Sequence, residues 1–182
     1  MNADQRRLLR EIALASIRHG LASGQPLQPE LAALPAGLVV PGACFVTLEI
    51  DGDLRGCIGS LEARRPLAID VADNAFNAAF RDPRFPPLGA AEFAQVDLHI
   101  SLLSAPQPMA VHSRADLLAQ LRPGIDGLVL DDGQRRATFL PSVWEQLPRV
   151  EDFVAHLLRK GGWPAQHWSG AMRAERYTTE SF

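Results

Sequence analysis

Leu54-Arg55-Gly56-Cys57-Ile58-Gly59-Ser60 is the stretch that decides how this chain reads. It gathers a cation, a thiol and two glycines, and it follows the apolar run Cys44-Phe45-Val46-Thr47-Leu48-Glu49-Ile50 across Asp51-Gly52-Asp53. Two such runs around a glycine set between aspartates predict a β-hairpin. Alternation puts Cys44, Val46, Leu48 and Ile50 on one face of the first strand and Phe45, Thr47 and Glu49 on the other. A three-residue loop, Asp51 to Asp53, aligns the apolar faces. Ile50 then meets Leu54, Leu48 meets Gly56 and Val46 meets Ile58, while Glu49 meets Arg55 and Thr47 meets Cys57. A two-residue loop at Asp51-Gly52 suits Gly52 better, but it sets Arg55 against Leu48 and Leu54 against Glu49. A slip of one residue turns every side chain over, so the buried face selects the longer loop.

Arg55 and Cys57 point the same way from their strand, and a guanidinium beside a thiol favours the thiolate. Cys57 is therefore a candidate nucleophile or redox group. The plainer account pairs Arg55 with Glu49 across the strands and buries Cys57 as a small hydrophobe. On it, Arg55→Ala costs little stability. Gly56 and Gly59 signal a bulge, or close approach by another backbone or a ligand. Together with Arg55 they form the candidate binding surface.

The run Leu54–Ser60 resembles the signature of the AMMECR domain family, whose bacterial members are called AmmeMemoRadiSam system protein A. Phe45-Val46-Thr47-Leu48 before it and Asp82-Pro83-Arg84-Phe85 after it resemble the same family. So do Pro123-Gly124-Ile125-Asp126-Gly127-Leu128, Phe139-Leu140-Pro141 with Trp144, and the closing Arg176-Tyr177. The resemblance thus covers nearly the whole chain. Lys160-Gly161-Gly162-Trp163 departs from it, since members more often read Lys-Ala-Gly-Leu there. The resemblance implies two lobes of unequal size and work beside a Memo-type protein and a radical S-adenosylmethionine protein. It implies no reaction for this chain. It also adds Asp82 and Arg84 to the candidate binding residues, although an Asp-Pro turn has a structural role as well.

At 182 residues and 47% hydrophobic content the chain suits one domain, residues 3–182. A net charge of −3 gives no global attraction to nucleic acid. Two cysteines are too few for a disulfide framework, and the hairpin puts them on opposite faces. Asp4, Arg6, Arg7 and Arg10 near the start do not read as a signal peptide. No apolar run approaches the ~18 residues of a membrane span, so a cytoplasmic location is expected. No phosphate-binding loop, zinc-spaced cysteine pair or iron–sulfur ligand set is present, so neither a cofactor nor a metal site is expected.

Apolar spacing predicts a helix over residues 3–19, capped by Asp4 and ended by Gly20, and a second over 66–81. Residues 22–43 read as a Gly/Pro-rich connection with a turn of helix near Glu30–Leu34. Residues 96–104 alternate as a strand, with Asp97 and His99 on its polar face. Were that strand to pair near the hairpin, Cys57, His99 and Asp97 would have the order of thiol, base and orienter. A short helix over 113–121, a hairpin over 127–140, a helix over 151–160 and a last strand over 174–179 complete the chain. The pattern is α+β: a mainly antiparallel sheet with packed helices. Arg55 and Cys57 are expected to face a concave surface that receives Asp82 or Arg84. Three functions remain open: an accessory component that binds substrate or partner, a thiol enzyme using Cys57, and an RNA-binding sheet.

Overall fold

The computed structural model describes residues 1–182. The elements in chain order are α1 (Ala3–Ser23), α2 (Ala36–Val39), β1 (Pro41–Gly42), β2 (Cys44–Ile50), β3 (Asp53–Gly59) and β4 (Arg65–Pro66). They continue as α3 (Leu67–Phe80), α4 (Ala90–Phe93), β5 (Asp97–Leu103), β6 (Gln107–Pro108), α5 (Arg114–Gln120) and β7 (Gly127–Asp131). The last are β8 (Arg136–Phe139), α6 (Val150–Lys160), β9 (Arg173–Tyr177) and β10 (Thr179–Ser181). Single-turn 3₁₀ helices occupy Leu31–Ala33 and Pro141–Glu145. The fold is α+β, and the paired strands run antiparallel.

The chain forms two compact units: Met1–Leu103 with Glu180–Phe182, and Ser104–Thr179. The first is a four-stranded sheet, ordered β10-β5-β2-β3, with α1 and α3 on its apolar face. Cys44, Val46, Leu48, Leu98 and Ile100 from the sheet pack against Leu9, Ile17, Val71 and Ala75. The alanines of α3 (Ala68, Ala72, Ala75 and Ala79) are all at most 2% exposed, so the helix lies close on the strands.

Two helix ends differ from the sequence reading. Asn2, not Asp4, caps α1: its side chain accepts the Gln5 N–H, and Gln5 answers on the Asn2 N–H. The helix also runs through Gly20 to stop at Gly24, whose φ of 71° is the left-handed cap conformation. Gly20 is needed inside the helix because a Cβ there would stand 2.5 Å from the Phe80 ring and 2.7 Å from that of Phe76. That packing outweighs the roughly 1 kcal/mol a mid-helix glycine costs.

The second unit is a sheet ordered β6-β9-β7-β8 with α5 and α6. Its core joins Leu128, Leu130 and Ala174 to Leu157 and to Phe153, whose ring stacks on Trp144 at 3.7 Å. The run expected as one final strand is two, β9 and β10, and they belong to different sheets. The unusual Lys160-Gly161-Gly162-Trp163 also finds its reason. Trp163 is 4% exposed, and its Nε1 donates to Asp132 at 2.7 Å. That places its ring where a Cβ on residue 161 would be. Tryptophan at 163 therefore requires glycine at 161.

Candidate functional site

The hairpin tip is a two-residue turn, because Asp51 (φ 53°) and Gly52 (φ 84°) are both left-handed. Ile50 pairs with Asp53 and Glu49 with Leu54. The register then shifts, and beyond it Leu48 pairs with Gly56, Thr47 with Cys57 and Val46 with Ile58. The three-residue loop and the Glu49–Arg55 pair expected from sequence are thus corrected. Turn chemistry fixes the tip, the buried face fixes the rest, and a bulge with Arg55 as the extra residue reconciles them. Bulges re-aim side chains, and this one turns Arg55 away from Glu49.

Arg55 reaches α4 instead. Its Nε and Nη2 donate to Glu92 at 2.8 and 3.1 Å, and Nη2 also donates to the Pro86 carbonyl at 3.0 Å. The Arg55 side chain is only 11% exposed. The guanidinium first, and the Gly89 N–H second, hold the Glu92 carboxyl down to about 2. The centroid of the Phe85 ring is 5.8 Å from Arg55 Cζ and 5.4 Å from Arg84 Cζ.

Cys57 sits on β3, the last strand of its sheet, and its N–H and C=O point away from β2. Asp82 accepts that N–H at 2.9 Å, and Arg84 Nη2 donates to that carbonyl at 3.3 Å. The two side chains stand where a further strand would, which closes an edge otherwise open to foreign pairing. Asp82 is 4% exposed, and its carboxyl lies well below the usual carboxylate range. The Arg84 side chain is the first cause, aided by the N–H groups of Cys57 and Arg84.

Gly56 explains how Asp82 arrives there. A Cβ on Gly56 would run into the Ala78 carbonyl oxygen, so glycine lets the last turn of α3 lie directly on β3. The segment after the helix folds back, with Leu88 N–H donating to Ala79 O at 2.8 Å. Gly59 likewise makes room for the Phe45 ring, and a Cβ there would stand 2.6 Å from Cys44 O. Both glycines face neighbours from their own fold. The structure thus brings Arg55, Gly56, Cys57, Asp82 and Arg84 together, mostly through the main chain of β3.

His99 does not join them. It lies opposite Thr47 on the far side of β2, so Cys57, Thr47 and His99 form a row across three strands. Two strand spacings separate the backbones at the ends of that row by about 10 Å, and the hydrogen-bond partner of the thiol is Thr47 rather than the imidazole. His99 Nε2 faces Asp97 at 3.4 Å and Glu49 at 3.7 Å. Cys57 Sγ accepts from Thr47 Oγ1 at 3.3 Å.

A second cluster, which the sequence reading missed, lies where the signature ends. Asp70 is 1% exposed. Its Oδ2 accepts from Cys44 N (3.0 Å), Cys44 Sγ (3.3 Å) and Asn74 Nδ2 (3.0 Å), and its Oδ1 from Ser60 Oγ (2.7 Å) and Arg65 Nε (2.8 Å). Asn74 also donates to Ser60 Oγ at 3.1 Å. Burial, and then the Asp70 charge, push the Cys44 thiol well up from its usual value. Arg65 Nη1 is bonded to Asp73, whose carboxyl is raised chiefly by burial. Over this cluster opens a cavity of about 420 Å³, lined by Gly59, Ser60, Leu61, Glu62, Arg64, Arg65 and Asp70. The available signal was Asp70 and Asn74 at i, i+4 among the apolar positions of α3, where polar residues must have partners.

The sequence model of the AMMECR1 family matches residues 10–182. The chain belongs to the AMMECR1 family. This AMMECR1 chain is 36% identical over 170 residues to a protein of Methanothermobacter thermautotrophicus, covering 90% of this chain and 85% of that one. It is 33% identical over 173 residues to a protein of Thermotoga maritima, covering 93% and 94%. The crystal structure of an uncharacterized protein, PH0010, from Pyrococcus horikoshii superposes with a TM-score of 0.87 at 26% identity, over 100% of this chain and 92% of that chain. The AMMECR1 fold of this chain is therefore shared with a solved structure. No helix of the chain is long and apolar enough to cross a membrane.

Proposed function

We propose that the chain is a cytoplasmic binding component of an AmmeMemoRadiSam-type system, acting as its protein A beside a Memo-type protein and a radical S-adenosylmethionine protein. The observation that carries this reading is the cavity at the end of the signature. Its guanidinium and hydroxyl, from Arg65 and Ser60, are held in place by one buried carboxylate. Groups fixed before the ligand arrives lower the cost of ordering on binding. Thiol catalysis has less support, because the hydrogen-bond partner of Cys57 Sγ is a hydroxyl and His99 lies a strand further on. An RNA-binding sheet has less support still. The outward face of β2 and β5 carries the carboxylates of Glu49 and Asp97 on either side of the His99 imidazole, with Phe45 packed over Gly59, so it offers bases neither a positive field nor an open stacking platform.

The test uses the organism's own purified Memo-type and radical proteins in size-exclusion and calorimetric titrations with this chain. Association retained by Cys57→Ala and weakened by Arg65→Lys is the expected result. No association between any pair, with or without substrate, would remove the accessory reading.

A further inference from the structure

We propose that the cavity beside Ser60 and Arg65 takes the oxyanion of a small ligand, a carboxylate or a phosphoryl group. The proposal deepens the binding reading above and rests on it. The sign of the ligand follows from which hydrogen-bonding capacity is already used. An ionised carboxylate has about four lone-pair directions, and Asp70 already receives donors from Cys44 N, Cys44 Sγ, Asn74, Ser60 and Arg65. It has no acceptor left for an ammonium or guanidinium ligand. Ser60 has committed its proton to Asp70 and accepts from Asn74.

The spare capacity that faces the cavity is in donors, because the unpartnered acceptor nearby, Asp73 Oδ1, is buried and outside the lining. Arg65 spends Nε on Asp70 and Nη1 on Asp73, while Nη2 has no partner in the protein. The side chain is 36% exposed, so that edge of the fork is reachable. Arg64 lines the same cavity, 80% exposed, with Nε and Nη2 on Glu62 and Nη1 without a partner. A guanidinium held at two nitrogens and open at the third recognises a carboxylate or phosphate edge. The formal charges of the lining cancel, Arg64 and Arg65 against Glu62 and Asp70. The attraction is therefore local hydrogen bonding rather than a field, and a bare anion binds weakly.

The test is a titration followed by ¹H–¹⁵N correlation spectra at constant ionic strength. The probes are inorganic phosphate, acetate and, as the opposite sign, methylguanidinium. Phosphate or acetate should give saturable shifts confined to the amides of 59–65 and to the side chain of Arg65. The tighter of the two identifies the ligand group as phosphoryl or carboxyl. Arg65→Gln should weaken that binding at least about tenfold, the loss of one charge-assisted contact. Arg65→Lys keeps a cation beside Asp70 and Asp73 but not the outward fork; a native spectrum with the same weakening separates lost recognition from a folding fault. Unchanged anion binding in both variants overturns the proposal. Methylguanidinium saturating these amides in place of the anions overturns the oxyanion and leaves the cavity a ligand site. Silence to all three probes overturns the cavity as well.

Discussion

Asp82 holds its place by accepting the Cys57 N–H at the sheet edge, and it is the clearest single-residue test of that arrangement. Its side chain is 2% exposed and binds both the Cys57 N–H and Arg84. Asp82→Ala strands that N–H, and urea denaturation should show a loss of about 2–3 kcal/mol. Arg55→Ala should also destabilise, contrary to the expectation from an exposed Glu49 pair, because Arg55 ties β3 to Pro86 and Glu92. Hydrogen exchange should locate the effect: faster exchange over 85–93, the loop and α4, with the sheet unchanged. Uniform protection there would contradict this role. The company of Arg55, Cys57, Asp82 and Arg84 was implied by the family resemblance rather than by the residues' own pattern. Its form was not, since pattern reading pairs side chains with side chains, and here Asp82 and Arg84 seek the main chain of Cys57. Asp70 was missed for a related reason. A carboxylate in a helix reads as solvent-facing unless its five donors, spread from Cys44 to Asn74, can be foreseen.

At the level of elements, the hairpin shows two local rules each correct over its own part of the ladder. Asp51-Gly52 dictates a tight turn, Val46 and Ile58 dictate the buried register, and the bulge at Arg55 absorbs the difference. Neither rule alone contains the bulge. The early stop predicted for α1 failed because the partners of Gly20 in space, Phe76 and Phe80, lie far along the chain. Gly56→Ala tests how tightly α3 is seated. The obstacle is a backbone oxygen that cannot swing aside, so the cost should be about 3 kcal/mol, with loss of the Asp82 contact. Gly161 and Trp163 make a second test. Gly161→Ala alone should cost about 1–3 kcal/mol, whereas Gly161→Ala added to Trp163→Leu, where the ring is already gone, should cost little more than Trp163→Leu alone. A double-mutant cycle with no coupling would contradict the ring-over-glycine account.

Over the whole molecule, the sequence carried the α+β class because alternation in β2 and β5 and helical spacing in α1 and α3 are each unambiguous. It drew no boundary, although the family resemblance implied two lobes. Each of the two compact units has its own core, built by residues distant in sequence, such as Leu9 with Leu98 and Leu117 with Ala174. The molecule should also be acid-labile. Asp82, Glu92 and Asp132 all have carboxyls below their ordinary values in the folded state, the last two held to about 2. Groups depressed on folding contribute stability above their unfolded values of about 4, and lose it as pH falls toward the folded ones. Asp73, raised by burial, acts in the opposite sense, since taking up its proton relieves a penalty on the fold. Asp116 and Glu180 are lowered as well, so with five carboxyls against one the urea midpoint should be flat near neutrality and drop between about pH 4 and pH 2. A midpoint that rises over that interval would contradict these assignments.

The central claim is that the signature does its binding where it ends, beside Ser60 and Arg65, while Cys57 serves the sheet edge. Codon replacement in the native organism tests it most directly, comparing Cys57→Ala and Arg65→Lys with a gene deletion by metabolite profiling at matched protein levels. The account predicts that Cys57→Ala matches wild type and Arg65→Lys matches the deletion. A Cys57→Ala strain that matches the deletion, beside an Arg65→Lys strain that matches wild type, would contradict it.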